Sequence, residues 1–281
     1  MRINSVFLLV LLSGLVSGCA SVATLSEATE SSEAAQSNAG KADQPDEGDK
    51  SKSLVSLAED IEAHGERDTA IKLYRQTVAA SGNAPAANVR LGDAYMRANR
   101  IKPAINAYRA ALIKDPNNND ALLGLGAALV QHGSLDEGLA DLAKAAPRVG
   151  TGAAYNRLGI AQIMVGQFAD AQNTFEKGRA GAPNDLDIAT NLALAAALAG
   201  DADNAAALVH EIAQSPAAEE RHRRNLVIVL GLIGRSDDEA RAAAPPELSQ
   251  HEITALLKRA EALRNMSDPK ARAKALGMMK G

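Results

Sequence analysis

Cys19 is the one side chain in this sequence whose type and place suit a covalent reaction. It is the only cysteine, so it forms no internal disulfide and has no structural task in an oxidising compartment. Other chemistry is thinly represented. The five histidines, His64, His132, His210, His222 and His251, are scattered. None stands four residues from another with a carboxylate between, the spacing that a zinc hydrolase helix needs. Gly124-Leu125-Gly126-Ala127-Ala128-Leu129 carries two glycines of a dinucleotide-binding turn but lacks the third. No strand pattern precedes it, so it reads as close helix packing. Neither a Gly-x-Ser-x-Gly elbow nor a phosphate-binding loop occurs. The expectation is a protein that is not an enzyme, with no metal, no cofactor and no small-molecule substrate. A formal charge of −4 lacks the basic footprint of a nucleic-acid binder. Arg221, Arg223 and Arg224, around His222, form a local basic cluster at a helix start, where cations oppose the helix dipole. The cluster is either a solvated helix start or a contact for an acidic partner or lipid headgroup.

The surroundings of Cys19 give it a role. Arg2 supplies a positive start, and Val6 to Leu12 with Leu15 and Val16 supply a short apolar run, as in an export signal over residues 1–18. That run is shorter than the roughly 20 residues needed to span a bilayer. Val16-Ser17-Gly18-Cys19 resembles the lipobox of bacterial lipoproteins. The resemblance implies cleavage before Cys19 and acylation of that residue, where an ordinary secretory signal would leave a free thiol. Several acyl chains anchor stably where one alone would not. Ala20-Ser21 follows, with no Asp at the second position. In that family this implies the outer membrane, with the remaining chain on its periplasmic face. Residues 19–50 are rich in Ser, Ala, Glu, Asp, Asn and Gly without apolar periodicity, so they read as a disordered linker. A flexible coil of about 30 residues reaches roughly 30 Å on average.

The elements that follow repeat. Leu91-Gly92-Asp93-Ala94-Tyr95, then Ala104, Tyr108, Ala111 and Pro116, describe two short amphipathic helices. Gly92 and Ala104 permit close approach, Tyr108 plugs the gap, and Pro116 ends the second helix. The same register recurs from Ser51 with Ala58, Gly65, Ala70 and Tyr74, and from Asn119 with Gly126, Gly133, Gly138 and Leu142. It recurs from Gly152 with Gly159, Gly166, Ala171, Phe175 and Pro183, and then more loosely from Leu186 and Glu220. In the last unit the small residue slips to Ala240, and Pro245-Pro246 cut the second helix short. This spacing resembles the tetratricopeptide repeat (TPR), of about 34 residues. The expected fold is all-α: a TPR superhelical solenoid of about six helix-turn-helix units plus a C-terminal capping helix. The units run over 51–84, 85–118, 119–151, 152–185, 186–219 and 220–248. Ser249-x-x-Glu252 is a capping box that opens the cap at 249–266. Ser134 is placed as an N-cap, Pro103 in a first helical turn, and Pro147 as an interruption late in the third unit. The tail, 267–281, is expected to be flexible or a short extra helix. A composition of 46 % hydrophobic but 2 % aromatic residues, with no Trp, suits a core built on Ala and Leu.

The TPR resemblance also implies a partner-binding groove lined by the first helix of each repeat. Carried onto this chain, the groove positions are Glu59, Glu62, Asp93, Met96 and Arg97 at the N-terminal end. Further along they are Leu123, Val130, Ile160, Ile163, Met164, Leu194, Leu198, Ile228 and Leu232. Such a groove runs from charged to apolar and suits an apolar or amphipathic helical segment of a partner; the alternative is that some of these residues pack under a neighbouring helix or the tail.

Among TPR lipoproteins, the chain is most similar to the tight-adherence (Tad, Flp-type) pilus assembly lipoproteins, the TadD family. The lipobox, the acidic linker, the repeats and the run Arg224 to Arg235 followed by Pro245-Pro246 carry that resemblance. It implies an outer-membrane, pilotin-like accessory that helps a secretin localise or assemble. A scaffold for barrel assembly, polysaccharide export or cell-wall hydrolases shares the same general features.

Overall fold

The computed structural model describes residues 47–277, and Cys19 with its signal and most of the linker lie outside them. Fourteen helices and no strand are present among the described residues. They pair in chain order: α1 (Glu47–Ala63) with α2 (Arg67–Ala80), α3 (Pro85–Arg97) with α4 (Ile101–Lys114), and α5 (Asn119–His132) with α6 (Leu135–Val149). The order continues with α7 (Gly152–Met164) and α8 (Phe168–Gly181), α9 (Leu186–Ala199) and α10 (Ala202–Gln214), then α11 (Glu220–Leu232) and the short α12 (Asp237–Ala243). The chain closes with α13 (Gln250–Arg264) and α14 (Pro269–Gly277). Each second helix packs on the first helix of the next pair, which stacks the pairs into a solenoid.

The turn inside each pair reverses the chain in a few residues and needs one left-handed position. Gly133 takes it at φ 100°, and in the second pair Asn99 takes it at φ 56°. Asn is the ordinary substitute for Gly there, because its short amide tolerates that region.

Close approach within pairs is built from small residues opposite plugs. A methyl group on Gly92 would lie 2.5 Å from the Tyr108 ring, and one on Gly159 would lie 2.6 Å from the Phe175 ring. Between α5 and α6 two glycines face each other. A methyl on Gly126 would meet the Gly138 carbonyl oxygen at 2.8 Å, and one on Gly138 would meet the Gly126 oxygen at 2.7 Å. The later pairs change the two sizes. Where the second to fourth units set Gly against Tyr, Leu or Phe, the fifth has Ala193 and Val209 at the same positions, and the sixth has Val227 and Ala243. All four of these are buried in one apolar cluster. The plug shrinks as the residue opposite grows, so interior density is kept although the signature is lost.

Several local expectations are met. Pro103 lies in the first turn of α4. Both halves of the capping box form: Ser249 Oγ accepts from Glu252 N at 3.3 Å, and Ser249 N donates to Glu252 Oε2 at 3.0 Å. Two others are corrected. Pro147 does not interrupt the third unit but sits inside α6, which continues to Val149 before Gly150 ends it at φ 70°. Its position in the last turn limits the damage to one backbone bond. Ser134 stands at the N-cap of α6, but its side chain makes no bond to the first turn.

Candidate partner-binding face

The first helices of the pairs, α3, α5, α7, α9 and α11, form the inner row, and polar ties join neighbours along it. The Arg97 guanidinium donates twice to Glu62, at 2.6 and 2.7 Å, linking α3 to α1. Asn191 Nδ2 donates to Asn156 Oδ1 at 2.9 Å, linking α9 to α7. His222 Nδ1 accepts from Glu219 N at 3.0 Å, so its Nε2 carries the proton donated to Asp187 Oδ1, 2.9 Å away. That bond links α11 to α9.

The row has two halves of different character. In the N-terminal half a cavity of about 530 Å³ opens between α3, α5 and α7. Val89, Met96 and Leu123 give it apolar wall, while Arg90, Arg97, Arg157, Asp93 and Asp120 give it charge. Tyr108 forms part of the lining, reaching it past Gly92 and Gly124, and its hydroxyl donates to Asp93 Oδ1 at 2.6 Å. Burial pushes the Asp93 carboxyl above its ordinary range, against the lowering effects of the Tyr108 bond, Arg157 and Arg97. Burial and the neighbouring Asp93 charge push the Tyr108 hydroxyl up as well. In the preceding unit, burial and Glu62 push Tyr74 up to about 12.

The raised Asp93 sets a pH dependence. An acid whose folded pKa is raised binds more protons when folded, so its contribution to stability falls as pH rises from 3.8 through the raised value. Asp93→Asn keeps an acceptor for Tyr108 and does not titrate. The melting temperature of this variant, relative to wild type, is expected to rise over that window and then level off. Thermal melts across acidic to neutral pH check it; a constant difference would contradict it.

The C-terminal half is closed. Ile160, Ile163 and Ile228 are fully buried, and Leu194, Leu198 and Leu232 nearly so, in one cluster with Ala273 and Leu276 of α14. Leu123 and Val130 are buried too, whereas Met96, Arg97 and Met164 are half-buried. The open apolar groove expected over residues 160–232 is therefore interior. The ordinary groove positions are covered here by neighbouring first helices, by α13 on α11, and by α14, which turns back onto α7.

The basic cluster is half-buried and largely ion-paired. Arg221 pairs with Asp187 at 3.4 Å and Glu219 at 3.1 Å, and Arg224 pairs with Glu220 at 3.0 Å. Arg223 is half-buried beside them. The open half contains residues that sequence reasoning left out: Arg90, Arg157, Asp120 and Val149. A signal for two of them was present. Arg90 and Arg157 stand five residues after Pro85 and Gly152, the first residues of α3 and α7.

Stacked helix pairs with an inner row of first helices define a helical-repeat scaffold for protein–protein interaction. The tetratricopeptide repeat matches residues 57–105, 89–154 and 156–219, and the chain belongs to that family. Among solved structures, the chain is similar to Pseudomonas aeruginosa pilF, at 18% identity and a TM-score of 0.58, over 83% of this chain and 99% of that one. It is similar to a tetratricopeptide repeat protein of Parabacteroides merdae, at 16% identity and a TM-score of 0.57, over 82% and 100%. A third, TTC0263 of Thermus thermophilus, has 17% identity and a TM-score of 0.52, over 64% and 98%. At these identities the likeness is one of fold. No curated protein matches the chain. Among the described residues no cluster of three or more His, Cys, Asp or Glu is arranged to hold a metal ion. No helix there is long and apolar enough to cross a membrane.

Proposed function

We propose that this chain is a lipid-anchored scaffold on the periplasmic face of the outer membrane. In this reading it binds a secretin subunit, in the manner of a pilotin, and assists secretin assembly for Flp-type (tight-adherence) pili. The observation that carries the reading is an order of parts. A lipobox-like Cys19 and a low-complexity linker lead into a solenoid that leaves one inner face open, between α3, α5 and α7. The resemblance of residues 224–246 to the TadD family and the fold likeness to Pseudomonas aeruginosa pilF agree with it.

The open face selects a partner chemistry. Val89, Met96 and Leu123 suit the apolar side of a partner helix, and Arg90 and Arg157 suit carboxylates along its edge. Acyl chains on Cys19 supply the membrane affinity and the linker supplies the reach.

Two strains test this. Deleting the gene is expected to reduce the heat-resistant secretin multimers of the outer membrane. Cys19→Ser is expected to abolish fatty-acid labelling and to reduce the multimers similarly. Unchanged multimers in the deletion strain would reject the secretin role and favour another envelope machine. Equal fatty-acid labelling of Cys19→Ser and wild type would reject the anchor.

A further inference from the structure

The C-terminal helix α14 is held differently from the helices before it. It belongs to no pair, and a four-residue turn, Asn265 to Asp268, brings it back from α13 to the end of α7. Asp268 starts it, accepting from Lys270 N at 3.1 Å and Ala271 N at 3.2 Å. Its attachment rests chiefly on Arg272, Ala273 and Leu276, with half-buried Ala275 beside them. Ala273 and Leu276 enter the apolar cluster that contains Ile160, Ile163, Leu194 and Leu198. Arg272 Nη1 donates to the Leu198 carbonyl at 3.1 Å, and its guanidinium lies 5.9 Å from the centre of the Phe168 ring. The same guanidinium also donates to the Met266 carbonyl.

Leu198 is in the last turn of α9, where free carbonyls and the negative end of the helix dipole gather. Arg272 thus acts as a cationic cap on another helix, delivered by a segment of nine residues. A helix that short has little stability of its own. Lys270, Ala271 and Lys274, on its outer side, are exposed.

We propose that α14 is an exchangeable plug, and that the surface beneath it is a second docking site on this scaffold. The site takes a short amphipathic partner helix with an arginine followed four residues later by a leucine, and a small residue between them beside the arginine. The occupant is defined by what already fits: the carbonyl end of α9 and the Phe168 ring receive the guanidinium, and the apolar cluster receives the leucine. α14 keeps that surface closed until such a helix replaces it. The inference is independent of the secretin reading, since it concerns the other half of the inner row.

The test uses the full-length chain in detergent and a labelled synthetic peptide of residues 266–277, read by fluorescence anisotropy. Leu276→Glu in the chain is expected to release α14 and leave the repeats folded. That chain should then bind the wild-type peptide about tenfold or more tighter than the wild-type chain does, because the competent state is no longer occupied in cis. A peptide carrying Leu276→Glu should not bind. Arg272→Ala in the chain is the milder variant and should give a smaller gain in the same direction.

Equal affinity of wild-type and Leu276→Glu chains for the peptide, or binding by neither, would overturn the proposal. So would a fall in the cooperative melting of the whole solenoid in both variants, which would make α14 a fixed part of the core. A wild-type dimer that the peptide dissociates would assign the surface to α14 of a second copy and overturn its assignment to a separate partner.

Discussion

Gly126→Leu is expected to be among the most disruptive single changes within the repeats. The new side chain would have to pass the Gly138 carbonyl at 2.8 Å and the Leu142 side chain at 2.7 Å. A flexible side chain can rotate away from such an intruder, but backbone cannot, so α5 and α6 must separate. Overpacking of this kind costs about 3 kcal/mol or more. For a domain of this size that lowers the melting temperature by about 6–12 °C. Gly133→Ala separates this effect from backbone strain. Gly133 has φ 100° and nothing within 4 Å of an added methyl, so its cost is conformational, about 1 kcal/mol. Thermal melts of the two variants check the account. Equal, small losses would mean that α5 and α6 do not approach as closely as the structure shows.

The second large effect concerns Ile163 and Leu198. Read by repeat position, both line an open groove, and Ile163→Glu with Leu198→Glu should then spare the fold. The structure reverses that expectation, since Ile163 is 0% and Leu198 3% exposed. Each change removes roughly 1.5–3 kcal/mol of apolar burial and adds the cost of an unpaired carboxylate, another few kcal/mol. The double variant is expected to lose the cooperative structure of the C-terminal half. A solenoid holds each repeat chiefly through its neighbours, so the N-terminal pairs can stay folded when the later ones do not. Hydrogen exchange should therefore show lost protection in α7 to α14 and retained protection in α1 to α4. Wild-type protection throughout would return these residues to an exposed face.

The two residues show which part of the molecule was legible in the sequence. Spacing along one repeat encodes local geometry. Gly92 against Tyr108 and Gly159 against Phe175 were readable because the contact lies within one helix pair, at a fixed separation. The all-α solenoid followed from the recurrence of such contacts. The degenerate fifth and sixth units were harder to read, because Ala193 with Val209 and Val227 with Ala243 preserve volume rather than residue type. The open face depends on what covers a row of side chains, and no periodicity reports that. Ala273 and Leu276 stand among alanines and lysines in a short tail, where no apolar stripe announces a docking helix. Yet burying them helps close half of the inner row. Spacing placed Glu62 and Arg97 at groove positions but did not report their pairing across two repeats. Arg90 is an exposed cation on the open face.

This division assigns different work to the two halves. The apolar C-terminal half is interior at its groove positions, covered by α13 and by α14, the helix proposed to be exchangeable. The N-terminal half combines an apolar wall with charge of both signs, an arrangement suited to a specific, exchangeable partner. Its location also places it nearest in sequence to the linker.

The measurement that tests this most directly is site-specific photo-crosslinking in cells. A photoreactive amino acid would replace Met96 on the open face, or Ile113, which is 82% exposed on α4, a second helix of a pair. The account predicts a discrete crosslinked partner from position 96, a secretin subunit under the proposed function, and none from position 113. A crosslink from position 113 with none from position 96 would contradict it, and would move the binding surface off the inner row.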